Sequence, residues 1–273
     1  DREEETIARC IAALRASPQA LLPDSDALLH IQLLRFVREH GHNAASIEKK
    51  YRAALTWRST HLPKIPVGDA GRSGGWLSAR EMPNGAWASS FVAIGLNAGY
   101  SKSGNPVKIE RLGRFDVEKL RKEMPAARPK FNDFYLGLLE FLQQRLDAAS
   151  LTDMTLCQTY EIFDLSGLQP SIFFNRTVLN FTTDVLTAFS THYPSSFRKA
   201  VLIGCPSWLP KLWSMLAKFL PKSVTEKVNI LGDDYDAVLR EDLTPEAYAW
   251  VKSAMTDLPH APHMPEDRRD ADP

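Results

Sequence analysis

Between residues 160 and 232 short β-type runs alternate with helix-type runs, and that alternation confines the chain to a sheet with helical crossovers. Tyr160 to Leu165 and Lys199 to Gly204 read as strands, separated by a long helical segment from about Pro170 to His192 that begins after a turn at Gly167. A third strand, Lys227 to Leu231, closes the series. Such a series predicts a mixed, mostly parallel sheet with right-handed crossovers. The segment between the last two strands is unusually apolar. Leu209, Leu212, Trp213, Leu216, Phe219 and Leu220 recur at helical spacing with Trp208 and Met215 beside them, and only Lys211, Ser214 and Lys218 make a polar stripe. A helix of this kind requires a wide apolar partner: core, a bilayer surface or a lipid-sized ligand.

Upstream, three helices are predicted. The first spans 3–16, with Ile7, Ala8, Ile11 and Leu14 on one face and Ser17-Pro18 as its stop. The second runs from about Ala27 to His40, capped by Asp24, Ser25 or Asp26 and ended by Gly41, and the third from about Asn43 to His61. Residues 1–62 therefore read as an all-helical module and 63–105 as a long, partly irregular connection with a short helix near Leu77 to Arg80. SKSGNP (101–106) has turn chemistry, Val107 to Arg114 alternates like a strand, and Phe115 to Glu123 and Phe131 to Ala149 read as two helices. The α/β unit occupies 106–258. It ends in short helices, one opening at Thr244-Pro245, and the proline-rich, charged tail 259–273 is expected to be disordered.

Lys+Arg and Asp+Glu both number 33, which argues against a dedicated nucleic-acid binder. Cys10, Cys157 and Cys205 form neither a disulfide framework nor a CxxC pair and read as small buried hydrophobes. No apolar run reaches the ~18 residues needed to span a bilayer. No signal peptide is visible, and because the chain starts at Asp1 rather than Met the sequence is silent on what precedes it. Catalytic signatures are missing: there is no GxSxG, P-loop, HExxH or strand-linked GxGxxG. GRSGG (71–75) follows no strand, and His260 and His263 lack a third metal ligand. Asp164, just before Leu165-Ser166-Gly167, reads as a turn former rather than a catalytic acid, and Asp233 and Asp234 as a helix cap. The expectation is a protein that is not an enzyme, with no metal and no cofactor.

Apolar capacity is what remains. The 208–220 helix, Phe131, Phe134, Tyr135 and Phe141, and Phe173, Phe174 and Phe181 supply more hydrophobic surface than a thin sheet needs. Core packing and a lipid slot account for the set equally well. Burying an acyl chain is worth ~0.8 kcal/mol per CH₂, so a protein that strips a lipid from a membrane needs a long closed slot and a lid. The 208–220 helix would suit that lid.

DSDALLHIQLLRFVREHGHNAASIEKKYRAALTWR (24–58) resembles the helical N-terminal module of CRAL-TRIO lipid-transfer proteins. SKSGNPV, YEIFDLSGL, YPSSFRKAVLIGCPSWLPKLWSMLAKFL, KVNILGDDY and DLTPEAY resemble the rest of that family in order, from Asp24 to Trp250. The resemblance implies a helical module followed by an α/β lipid-binding domain whose cavity is covered by a mobile gate helix, Pro206 to Leu220. Gate and acyl-chain positions would be Trp208, Leu209, Leu212, Trp213, Leu216, Phe219, Leu220 and Phe173. It also implies exchange of single lipids, often phosphatidylinositol with a second phospholipid, between membranes. The head-group positions fall on Lys227 for phosphate, Ser195 in place of an inositol-contacting glutamate, Val224 in place of a threonine, Thr159 and Glu161 on the choline side, and Leu138 in place of a tyrosine with Tyr135 a turn away. Glu161 would oppose an anionic head group unless paired or protonated. The apolar half follows the family and the polar half departs from it. The implied partners are a phospholipid or other hydrophobic ligand and, transiently, a membrane surface, for a cytoplasmic monomer with no nucleic-acid partner. A lipid-responsive regulatory or interaction module of a larger protein is the alternative.

Overall fold

The structure, a computed structural model, describes residues 1–17, 22–62, 76–153, 155–171 and 176–256. Three helices open the chain: α1 (Arg2–Ala16), α2 (Asp26–His40) and α3 (Ala44–His61). Asp1, Ser25 and Asn43 each accept a backbone N–H two or three residues on, satisfying amides that a helix start leaves orphaned. Gly41, at φ 82, ends α2 in a conformation that costs a side-chain-bearing residue energy. Ile7, Leu14, Leu29, Leu33, Ile47 and Tyr51 meet in this module's own core.

A five-stranded sheet follows: β1 (Ile94–Gly95), β2 (Val107–Glu110), β3 (Thr159–Asp164), β4 (Phe197–Ile203) and β5 (Val228–Ile230), in that spatial order. β1 pairs antiparallel with β2, and the remaining pairs are parallel. The mixed, mostly parallel sheet expected from the strand and helix alternation is therefore present. Part of the segment read as a connection is built into the domain. It supplies β1, a 3₁₀ turn at Ala79–Glu81 where a helix near Leu77 to Arg80 was expected, the short α4 (Gly85–Ala88), and the core residues Trp76, Phe91 and Leu96.

Three further expectations change. Val107 to Arg114 is a strand only as far as Glu110, and Leu112–Arg114 is a 3₁₀ turn. All four residues of β2 are buried, because Val107 and Ile109 face one layer of helices while Lys108 and Glu110 face the other. The two helices read at 115–123 and 131–149 are one 37-residue helix, α5 (Val117–Asp153). Pro125 and Pro129 remove two backbone donors four residues apart, hence on one face, and burial of Ala127, Phe131, Phe134, Leu138 and Phe141 carries the helix through. The cap expected from Asp233 and Asp234 is absent. Tyr235 holds that position without a side-chain cap bond, and the acid of the first turn, Asp236, accepts from Tyr248 and Arg240.

α6 (Arg176–His192) is the crossover between β3 and β4, and α7 (Leu209–Leu216), extended by a 3₁₀ turn at Ala217–Phe219, and α8 (Lys222–Thr225) join β4 to β5. α9 (Asp236–Asp242) and α10 (Pro245–Thr256) cover the second face of the sheet. Phe173 and Phe174, the GRSGG segment and the 259–273 tail lie outside the described residues.

Two arginines, Arg35 buried and Arg58 partly buried, fasten the helical module to the domain. Arg35 on α2 donates to Asp147 Oδ1 on α5 at 2.8 Å and to the carbonyls of Cys157 and Ser195 at 3.0 and 3.1 Å. Arg58 on α3 grips both oxygens of Glu140 at 3.0 and 2.6 Å, and the Tyr193 hydroxyl donates to the same carboxylate at 3.2 Å.

Candidate functional site

Between the first face of the sheet and helices α5, α6 and α7 lies a cavity of about 320 Å³. Its walls follow from periodicity. On α5, Leu138, Leu142 and Leu146 stack at i, i+4 and i+8, so one helical face is presented to the cavity. On β3, Thr159, Glu161, Phe163 and Leu165 occupy alternate positions and share one face of the pleat. Val178, Phe181, Val185 and Phe189 of α6 close a third side.

α7 and its extension close the fourth side with their inner face. Leu209, Leu212, Trp213, Leu216 and Leu220 line the cavity, and Leu209 is fully buried. The outer face shows Met215 (40% exposed) and Phe219 (49% exposed) to the surface. Trp208 stands at the N-terminal cap of α7, packed beside Leu165, Leu202 and Leu209 rather than in the cavity wall. Phe219 likewise does not line the cavity; it borders a shallow surface recess with His40, Lys50 and Lys218. Five of the eight gate and acyl-chain positions therefore line the cavity, Trp208 and Phe219 do not, and Phe173 is outside the described residues.

The head-group positions divide into two places. Thr159, Glu161 and Tyr135 line the cavity, as do Leu138 and Val224. Lys227 and Ser195 do not; they gather around Glu39 at the junction with α2. Ser195, at φ 52, donates through Oγ to Glu39 Oε2 at 3.2 Å, Ser223 donates to Glu39 Oε1, and Lys227 Nζ lies 3.8 Å from Oε2. Lys227 also packs over the ring of Phe197, which does line the cavity. Burial lowers the Lys227 pKa, against the opposing pull of Glu39. The positions that the resemblance gave to phosphate and inositol, Lys227 and Ser195, thus lie apart from those it gave to the choline side, Thr159 and Glu161, and a carboxylate of α2 stands beside the first pair.

Sequence reasoning missed Lys108, Glu110 and Gln143. Lys108 Nζ donates to Glu110 Oε1 and, across the β2–β3 ladder, to Glu161 Oε2 at 2.8 Å. The signal was available in the alternation of VKIE, where the polar partners of Val107 and Ile109 share a face; which face would be interior was not. Glu161, expected to oppose an anionic head group unless paired, is paired with Lys108 and accepts from Thr159 Oγ1 at 2.6 Å. Asp164 forms a turn: its Oδ1 accepts from Ser166 N at 2.9 Å, and Arg111 Nε lies 3.3 Å from Oδ2.

Residues 94–248 match the CRAL/TRIO domain family, more than half of the chain. The chain belongs to the CRAL/TRIO family. Among curated proteins it is 24% identical over 223 residues to the phosphatidylinositol/phosphatidylcholine transfer protein SFH7 of Arabidopsis thaliana, covering 81% of this chain and 38% of that protein. It is 27% identical over 144 residues to the Sec14 cytosolic factor of Schizosaccharomyces pombe, covering 51% of this chain and 48% of that one. This CRAL/TRIO chain therefore spans less than half the length of either relative. The crystal structure of Sfh5 superimposes with a TM-score of 0.63 over 93% of this chain and 97% of that one at 13% identity, a likeness of fold. No helix among the described residues is long and apolar enough to cross a membrane.

Proposed function

We infer that this CRAL/TRIO chain holds a single lipid in the cavity between sheet and helices and exchanges it between membranes. One observation carries the reading: a cavity that is apolar apart from one polar stripe is closed by a short helix that lines it with Leu209, Leu212, Trp213 and Leu216 and, with its 3₁₀ extension, exposes Met215 and Phe219 on the outside. A helix with only a core to cover would not expose Met215 and Phe219, and a helix with only a membrane to touch would not wall a cavity. The two faces together suit a lid that leaves a lipid for a bilayer. The transfer-protein names of its relatives support the same reading. Phosphatidylinositol is the narrower form of it; its phosphate would have to meet Lys227 beside Glu39. Native mass spectrometry of the purified chain, with extraction of whatever lipid travels with it, tests the reading alongside a vesicle-to-vesicle transfer assay. One lipid per chain and measurable transfer are expected. A chain free of lipid that moves none between vesicles overturns it.

A further inference from the structure

The cavity is apolar except for one stripe, and the charge of that stripe is not balanced. Lys108 is the only cation among the described residues lining the cavity, and Glu110 and Glu161 line it too. All three are buried, at 5%, 6% and 7% exposure. Two carboxylates against one ammonium leave a formal charge of −1, which is costly to keep in an apolar enclosure without a partner. Burial works against the Lys108 ammonium, but Glu110 and Glu161 outweigh it and raise the pKa, so this cation is held and its attraction is spent.

Hydrogen bonding points the same way. Glu161 is filled on both oxygens, by Thr159 and Lys108, whereas among the described residues no donor reaches the second oxygen of Glu110. On the facing helix α5, Gln143 gives its amide N–H to Asp147 at 2.7 Å and keeps a buried Oε1 with no donor. Tyr135, 7% exposed, touches Phe134 and Phe181 through its ring, and none of its hydrogen-bonding capacity is used within the described residues. The stripe offers unfilled acceptors and a net negative charge, and the Tyr135 hydroxyl is its one unused donor among the described residues.

We propose that this stripe seats the ammonium end of a long-chain amine or amino alcohol, with the hydrocarbon filling the apolar remainder of the cavity, and that it excludes an anionic phosphate from that position. The proposal rests on the cavity being a lipid site. A phosphate placed there would meet a net negative charge whose only cation is already bound twice, and it would leave the acceptors of Glu110 and Gln143 unfilled. An ammonium balances the charge, and its N–H groups, with a neighbouring hydroxyl, supply the missing donors.

Three amphiphiles with the same saturated chain, ending in a primary amine, an alcohol and a phosphate monoester, separate the possibilities when titrated into the full chain below their micellar concentrations and followed by tryptophan fluorescence. A parallel arm offers phosphatidylinositol in vesicles. The amine is expected to bind at least about tenfold more tightly than the phosphate ester, with the alcohol between them. Glu110→Gln combined with Glu161→Gln reverses the formal charge of the stripe and should erase the amine's advantage over the alcohol. Tighter or equal binding of the phosphate ester by the unaltered chain overturns the proposal, and so does an amine preference that survives the double substitution. Should that variant not fold, Gln143→Met, which removes the free acceptor together with the bond to Asp147 and leaves the charge of the stripe unchanged, is expected to weaken the amine several-fold more than the alcohol; equal effects on both overturn the proposal. If neither the amphiphiles nor vesicle phosphatidylinositol bind, the lipid-site reading itself fails, an outcome distinct from a flat or reversed order of head groups.

Discussion

Arg35 and Asp147 face each other at 2.8 Å with side chains only 2% and 5% exposed, and they belong to different parts of the chain: Arg35 to the second helix of the N-terminal module, Asp147 to the long helix that walls the cavity. A buried pair of this kind is weak evidence for net stability, since both charges pay to leave water. Its consequence appears when one partner is removed. Asp147→Asn should cost about 3–5 kcal/mol by leaving the guanidinium uncompensated, and Arg35→Met together with Asp147→Leu should recover a large part of that loss. Urea denaturation of the three proteins is the measurement; single and double variants of equal stability would mean that Arg35 is held mainly by the carbonyls of Cys157 and Ser195.

A stack of rings joins the same two parts and makes stability depend on pH. Trp57 lies between His61 and His192, with centroid distances of 4.3 and 4.0 Å and nearly parallel planes. Burial, then His61 and Arg58, lowers the His192 pKa from 6.5 to about 4. The unfolded chain therefore takes up a proton near 6.5 that the folded chain resists until about 4, so the folded state is fully favoured above 6.5 and loses ground as pH falls between those values. The urea midpoint should drop more between about pH 7 and about pH 5 in the unaltered protein than in His192→Phe, which keeps the stack without the proton. Identical drops would remove His192 from the account.

The outer face of α7 separates exchange from folding. Phe219 is 49% exposed and contributes little core, while burying a side chain of its size in a bilayer surface is worth roughly 1.5–3 kcal/mol. Phe219→Asp should slow vesicle-to-vesicle transfer by at least about tenfold with an unchanged urea midpoint. Trp213→Asp should slow transfer as well, but Trp213 lines the cavity and its substitution should also destabilise the fold. Transfer at the unaltered rate by Phe219→Asp would detach the outer face from the exchange step.

Filling the cavity tests whether its volume is used. Ala200 on β4 lines it and is 3% exposed. Ala200→Phe should reduce the co-purified lipid to about a tenth or less, with a stability change within the ~1–3 kcal/mol of a tight overpacking substitution. Full lipid occupancy in that variant would place the ligand elsewhere.

Helices, strands and their order were legible because they depend on local periodicity and punctuation. Ser25, Asn43 and Gly41 mark helix ends by chemistry that acts within three or four residues, and YEIFDL and KAVLIG read as strands from their own composition. The apolar spacing of Leu209, Leu212, Trp213 and Leu216 likewise marked α7 as a helix needing a wide apolar partner. The single helix α5 was not legible, since two prolines argue locally for a break and only packing along Phe131, Phe134 and Phe141 overrides them.

Local pattern did not reach the polar half of the cavity: Thr159, Glu161 and Tyr135 were named only through the family resemblance, and Lys108, Glu110 and Gln143 not at all. Lys108, Glu110 and Glu161 are charged residues in strands, which composition alone assigns to a solvated face, and the pleat fixes only that Lys108 and Glu110 share a face. Whether that face meets water or the interior depends on α5, α6 and α7 closing over it, contacts between segments far apart in the chain. The same holds for Glu39, which meets Ser195 and Lys227 from a helix more than a hundred residues away along the chain. Sequence by itself determined the elements, their order and the excess of apolar surface. Tertiary structure decided which polar groups are sealed inside with it, because burial and charge pairing are properties of contacts that local pattern does not specify.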